Sequence, residues 1–63
     1  MRFDSSKVRL LQGEKTQSEM AEKIGITRTW YSTILSKGSA SPSTIIKIAK
    51  ALGVNPQEIV KED

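Results

Sequence analysis

Helix punctuation recurs at short intervals along this chain, and it narrows what the chain can fold into more than any other feature. Glycines at 13, 25, 38 and 53 follow segments of helical apolar spacing, and a capping residue (Thr16, Thr27, Ser41, Asn55) stands a few positions beyond each. Helices begin at such caps and end at such glycines. The punctuation predicts five helices, with no strand, repeat or low-complexity segment, so the chain reads as all-α.

The first helix is expected from Asp4-Ser5-Ser6 through Val8, Leu10 and Leu11, fading at Gly13. Thr16-Gln17-Ser18-Glu19 has the capping-box spacing that starts a second helix, on which Met20, Ala21 and Ile24 form one apolar stripe. After the Gly25-Ile26 turn, Thr27 caps a third helix whose Tyr31, Ile34 and Leu35 recur at i, i+3 and i+4. Ser41 and Pro42 announce a fourth, with Ile45, Ile48, Ala49 and Leu52 facing inward, Lys47 and Lys50 pointing away, and Gly53 at its end. Asn55, Pro56 and Glu58 repeat the cap, proline and acid signature for a short fifth helix containing Ile59 and Val60, and residues 61–63 form a frayed tail.

Sixty-three residues suffice for one domain, 1–63, and a chain of this size hides only ~60% of the surface its unfolded form exposes. With no Cys for disulfides and no His or Cys for a structural zinc, helix packing aided by dimerisation must hold the fold. No apolar run is long enough to span a bilayer, and Met1-Arg2-Phe3-Asp4 lacks the apolar stretch of a signal peptide, so a cytoplasmic protein is expected.

The formal net charge of +3 is mild, but its distribution is informative. Between Glu22 and Glu58 there is no acid, while Lys23, Arg28, Lys37, Lys47 and Lys50 all fall in that window, which predicts a positive surface. On charge alone a solvated lysine face is the better-supported reading. The polar side of the third helix adds to it: Arg28, Thr29, Ser32, Thr33 and Ser36 align along one side without a carboxylate, a composition suited to nucleic acid.

The informative unit is Gln17 to Ser36, two helices joined at Gly25. Helices joined by so short a turn cross steeply, and Ala21 supplies a small residue where they meet. Met20, Ile24, Ile26, Tyr31 and Ile34 press the pair onto the core and leave the polar side of the third helix protruding, where it can enter a major groove. Thr16-Gln17-Ser18-Glu19-Met20-Ala21-Glu22-Lys23-Ile24-Gly25-Ile26-Thr27-Arg28 resembles the helix-turn-helix core of phage repressor and Cro-type (Xre-like) regulators. Ile48-Ala49-Lys50-Ala51-Leu52-Gly53-Val54 is similar to that family's fourth helix and its exit, and the resemblance runs from about Ser6 to Val60.

The resemblance implies a five-helix, lambda-repressor-like domain that dimerises on a palindromic operator in double-stranded DNA. Carried over by position, Arg28, Thr29 and Thr33 face base edges, with Ser32 at their margin. Gln17 and Thr27 hold phosphates, with Ser36 and Lys37 marginal to the backbone. Arginine can give a bidentate pair to guanine O6 and N7, and threonine methyls can meet a thymine methyl. For Trp30 three placements stay open: core, along sugar and phosphate with its N–H as donor, or against a second subunit; partial burial with a backbone contact is expected. Val54, Ile59 and Val60 are the expected dimer contacts, although Ile59 can instead complete the core.

Two departures from the family pattern stand out. Where many relatives carry an arginine in the first helix and a glutamate after the third that form a buried ion pair, this chain has Leu10 and Leu35, which are therefore expected to touch. Gly38 also falls one residue late, which unsettles the assignments of Ser36 and Lys37. Without His or Cys the sequence offers no acid-base or metal cluster, so an enzyme is not expected, nor a cofactor, metal, membrane or small-molecule ligand. A transcriptional repressor of phage, prophage or bacterial origin is the reading. A DNA-binding antitoxin of a toxin-antitoxin pair and a protein-interaction module on the same fold are the alternatives.

Overall fold

The computed structural model describes residues 1–61. Its helices are α1 (Ser5–Gln12), α2 (Gln17–Ile24), α3 (Arg28–Lys37) and α4 (Pro42–Leu52), followed by a 3₁₀ turn at Pro56–Glu58. Each α-helix starts at a side-chain cap: the Lys7, Glu19, Trp30 and Thr44 amides donate to Asp4, Thr16, Thr27 and Ser41 respectively. The Glu19 carboxylate in turn accepts from the Thr16 hydroxyl at 3.4 Å.

One buried cluster joins all four helices. It includes Val8 of α1, Met20, Ala21 and Ile24 of α2, Tyr31, Ile34 and Leu35 of α3, and Ile45, Ile48 and Ala49 of α4. Among the described residues the buried side chains are all apolar but for the hydroxyl of Tyr31, so apolar contact and helix geometry do most to specify the interior.

The fifth helix is a single 3₁₀ turn. Its capping box forms, with the Asn55 amide donating to Glu58 Oε2 (3.1 Å) and the Gln57 amide to Asn55 Oδ1 (3.0 Å). Beyond Glu58 the chain is drawn elsewhere: Val60 bridges Phe3, and the Lys61 amide donates to Arg2 O (3.0 Å). Lys61 is thus tied down by its backbone, while Glu62 and Asp63 of the expected tail lie outside the described residues. Ile59 is fully buried and completes the core, so of its two expected roles it takes that one.

The first three residues, to which the punctuation assigns no role, close the fold. Residues 1–3 lie between the α3–α4 connection and the C-terminal segment. The Phe3 amide donates to Gly38 O (2.9 Å), the Ala40 amide to Met1 O (3.0 Å) and the Asp4 amide to Ile59 O (2.7 Å). Phe3 itself is buried, immediately before the Asp4 cap and five residues before Val8, the positions of a hydrophobic staple. Gly38 ends α3 in the left-handed region (φ 69°), which any L side chain would adopt only with strain, and this late glycine leaves Ser36 and Lys37 helical and exposed.

Leu10 and Leu35 do not form the expected pair. Leu35 is buried at 2% exposure, whereas Leu10 is 81% exposed. The helix period explains the error. Val8 is the buried residue of α1, and Ser5 and Gln12, three before and four after it, are half-buried, so Leu10, two positions from Val8, faces away. Against α3 stands Ser5 instead, whose hydroxyl donates to Leu35 O at 2.7 Å. Leu35→Glu is therefore expected to destabilise the fold by about 3–5 kcal/mol, while Leu10→Arg stays within about 0.5 kcal/mol and gives no rescue in the double mutant. Urea denaturation of the three variants checks this.

Candidate nucleic-acid interface

The geometry begins at the corner between α2 and α3. Gly25 is left-handed (φ 79°, ψ 31°), and Ala21 O accepts from both the Gly25 amide (2.9 Å) and the Ile26 amide (3.0 Å), while the Gly25 amide also reaches Glu22 O at 3.3 Å. This doubly bonded exit turns the chain within two residues, so that Thr27 can start α3. With Ala21 only 2% exposed, α3 is held against α2 through its Tyr31, Ile34 and Leu35 side.

A second device fixes α3. The Tyr31 hydroxyl donates to Gln12 Oε1 (3.0 Å), and Gln12 Nε2 donates to Lys15 O (2.6 Å), tying α3 to the end of α1 and to the loop that opens α2. Burial pushes the Tyr31 phenol above its ordinary pKa, opposed by the nearby Arg9 charge.

The outward side of α3 carries Arg28, Thr29 and Trp30, all exposed, then half-buried Ser32 and Thr33, then exposed Ser36 and Lys37. The structure thus brings every α3 residue singled out from sequence onto one helix, while Gln17 occupies the first position of α2 and Thr27 the cap of α3. Two hydroxyls have partners already. The Thr27 hydroxyl oxygen accepts from the Trp30 amide (3.1 Å), which leaves its proton for an outside acceptor. Thr33 donates to Thr29 O (3.0 Å), so it has only its lone pairs and methyl group to offer outward. Trp30 is 49% exposed and is not a core residue; it lines a concavity with Met1, Ile34, Lys37 and Thr44.

The positive surface expected from the acid-free window divides in two. Arg28 and Lys37 lie on α3, but Lys23, Lys47 and Lys50 line a separate concavity with Glu22, Gly25 and Ala51, between α2 and α4, to which α3 contributes no residue. Lys15 adjoins this side: hydrogen bonding and repulsion from Lys23 hold its ammonium below the usual lysine range. Sequence order could not separate these groups, because Arg28 and Lys37 fall between Lys23 and Lys47 in the chain. Among the described residues no cluster of His, Cys, Asp or Glu could hold a metal ion, and no helix is long and apolar enough to cross a membrane.

A family model described as helix-turn-helix matches residues 7–59, which takes in α1 from Lys7, α2, α3, α4 and the 3₁₀ turn. No curated protein and no solved structure matches the chain.

The brace on α3 gives a prediction in alkaline solution. Because the folded pKa of Tyr31 is raised, the unfolded chain ionises first. The contribution is intact below the unfolded value of about 10 and is lost as pH rises through the higher folded value. Tyr31 is the only tyrosine, so phenolate absorbance follows it alone. Its midpoint is expected above that of free tyrosine, and Tyr31→Phe should flatten part of the alkaline loss of stability. A midpoint at or below the free value would contradict the buried placement.

Proposed function

Because the chain belongs to the helix-turn-helix family of phage repressor and Cro type, a family of DNA-binding transcription regulators, we propose that it is a repressor that reads the major groove with α3. The observation that carries this reading is the side of α3 turned away from the core. It bears one guanidinium and several hydroxyls, no carboxylate, and stands on a helix fixed by both the Gly25 corner and the Tyr31 brace.

Arg28, at the first position of α3, supplies a rigid two-donor fork for a guanine edge, and Thr29 and Thr33 meet neighbouring bases, with Ser32 beside them. The Thr33 hydroxyl is committed to the helix, which favours a methyl contact to thymine over donation to a base. Gln17 and Thr27 position the domain on phosphates, the latter with the proton its cap bond leaves over, and Trp30, Ser36 and Lys37 border the same backbone. The reading includes a palindromic operator bound by a homodimer, and size supports it. The longest Cα extent is 29 Å, shorter than the spacing of about 34–36 Å between half-sites on one face of DNA, so one copy cannot read both.

A second reading rests on the lysine-lined concavity between α2 and α4, which suits an acidic protein surface and would make the chain an interaction module or an antitoxin.

A panel of single-base operator variants, titrated at two salt concentrations, tests the main reading. Arg28→Ala is expected to cost about 1–3 kcal/mol on the preferred operator and to relax discrimination at one base pair per half-site. Gln17→Ala should weaken all variants by similar factors with little change in salt slope, and Lys37→Ala should lower that slope by about one per subunit. Lys47→Ala, in the separate α2–α4 concavity, should leave it unchanged. Equal weakening of every operator by Arg28→Ala would make Arg28 a backbone contact and move specificity to Thr29, Thr33 or DNA shape.

A further inference from the structure

Three ammonium groups converge where α3 contributes nothing. Lys23, Lys47 and Lys50 line a concavity of about 570 Å³ between α2 and α4, and Glu22 is the one acid beside them. The only lining residues that are not exposed are apolar, Ile24 being buried and Ala51 half-buried. None of the three lysines pairs with a carboxylate among the described residues. Lys15 adds a fourth cation: it stands within hydrogen-bonding reach of Lys23, and that bond and their mutual repulsion hold the Lys15 ammonium below the usual lysine range.

Helix ends account for part of the cluster. Lys23 and Lys50 stand in the last turns of α2 and α4, where a cation complements the helix dipole. Lys47 and Lys15 have no such reason to be there. Lys47 lies three residues before Lys50, a spacing at which like charges on one helix repel, and Lys15 precedes α2.

We infer that this concavity is a binding site for a small polyanion, a ligand with adjacent phosphate groups, held by Lys23, Lys47 and Lys50 with Lys15 at its edge. Concentration of charge selects that class. A phosphate chain sets several charged oxygens side by side, and each lysine ammonium is a compact charge with three donors to share among them. The carboxylates of an acidic protein are single charges, each on its own stem, and match convergent ammoniums less closely. The volume lies in the range of about 300–1,000 Å³ usual for small ligands. The sequence gave no reason to expect a small ligand because it lacks His and Cys, but a phosphate site needs neither. The ligand differs in class from the protein surface of the second reading above, and the site does not depend on α3 reading DNA.

Calorimetric titration with inorganic tripolyphosphate, in metal-free buffer of fixed ionic strength, tests the site. Saturable binding is expected, at least about tenfold tighter than that of inorganic monophosphate. Lys23→Gln and Lys47→Gln, both at exposed positions, should each weaken it about tenfold with unchanged circular dichroism, whereas Lys37→Gln on α3 should leave it within about twofold. Adenosine triphosphate bound at least as tightly assigns the site to phosphorylated nucleosides, and bound more weakly, to inorganic polyphosphate; either result supports it. Three results overturn it. Equal losses in Lys37→Gln and Lys47→Gln would show diffuse attraction to a cationic chain, an acidic peptide of equal charge bound as tightly would return the concavity to a protein partner, and no saturable binding would leave no site. None of the three touches the reading of DNA by α3, since no duplex is used.

Discussion

The corner at Gly25 is the constraint from which the rest of the structure follows. Ala21 O accepts two successive amides there, and only a residue free to adopt a left-handed backbone can present them both. With Ala21 buried against its neighbours, the corner leaves α3 one way to satisfy its apolar side, which is inward through Tyr31, Ile34 and Leu35. The polar side is then outward by elimination. A β-carbon at Gly25 would meet no neighbour within 4 Å, so the demand for glycine is one of backbone conformation and not of space.

The same economy governs the closure of the domain. A small all-helical chain without cysteine for disulfides has a limited interior, and here the extended residues before α1 add to it. Phe3 fills the cluster beside Val8, while its backbone and those of its neighbours pair with the α3–α4 connection and with residues 59–61. This pairing also ends the last turn. Once Val60 and Lys61 are engaged by residues 2 and 3, a longer helix after Asn55 would have to give up those bonds, so the capping box there starts one turn and no more.

The helices were legible in the sequence because their signals are local. A cap, a proline or a glycine acts on amides within a few residues, and every α-helix begins at the cap residue that the sequence offered. The side of α3 was legible for the same reason, since a helical period needs only one helix. What the sequence did not carry was which residues of different elements meet. Leu10 was matched to the position where many relatives carry a buried arginine, although its distance of two residues from Val8 sets it on the opposite side of α1. Phe3 could have been found as the residue preceding a cap with Val8 four residues beyond that cap, a staple spacing. The division of the lysines between α3 and the α2–α4 concavity depends on how the helices are folded back on one another, and no periodicity along the chain encodes that.

The account turns on α3 being the surface that meets DNA, and backbone amide resonances observed during titration with a duplex obtained by random-site selection test this most directly. The account predicts salt-sensitive binding, with the largest shifts at Arg28 to Thr33 and at Gln17, and little change at Lys23, Lys47 and Lys50. Shifts centred on those three lysines, with α3 unmoved, would contradict it and turn the reading toward an acidic partner in the α2–α4 concavity.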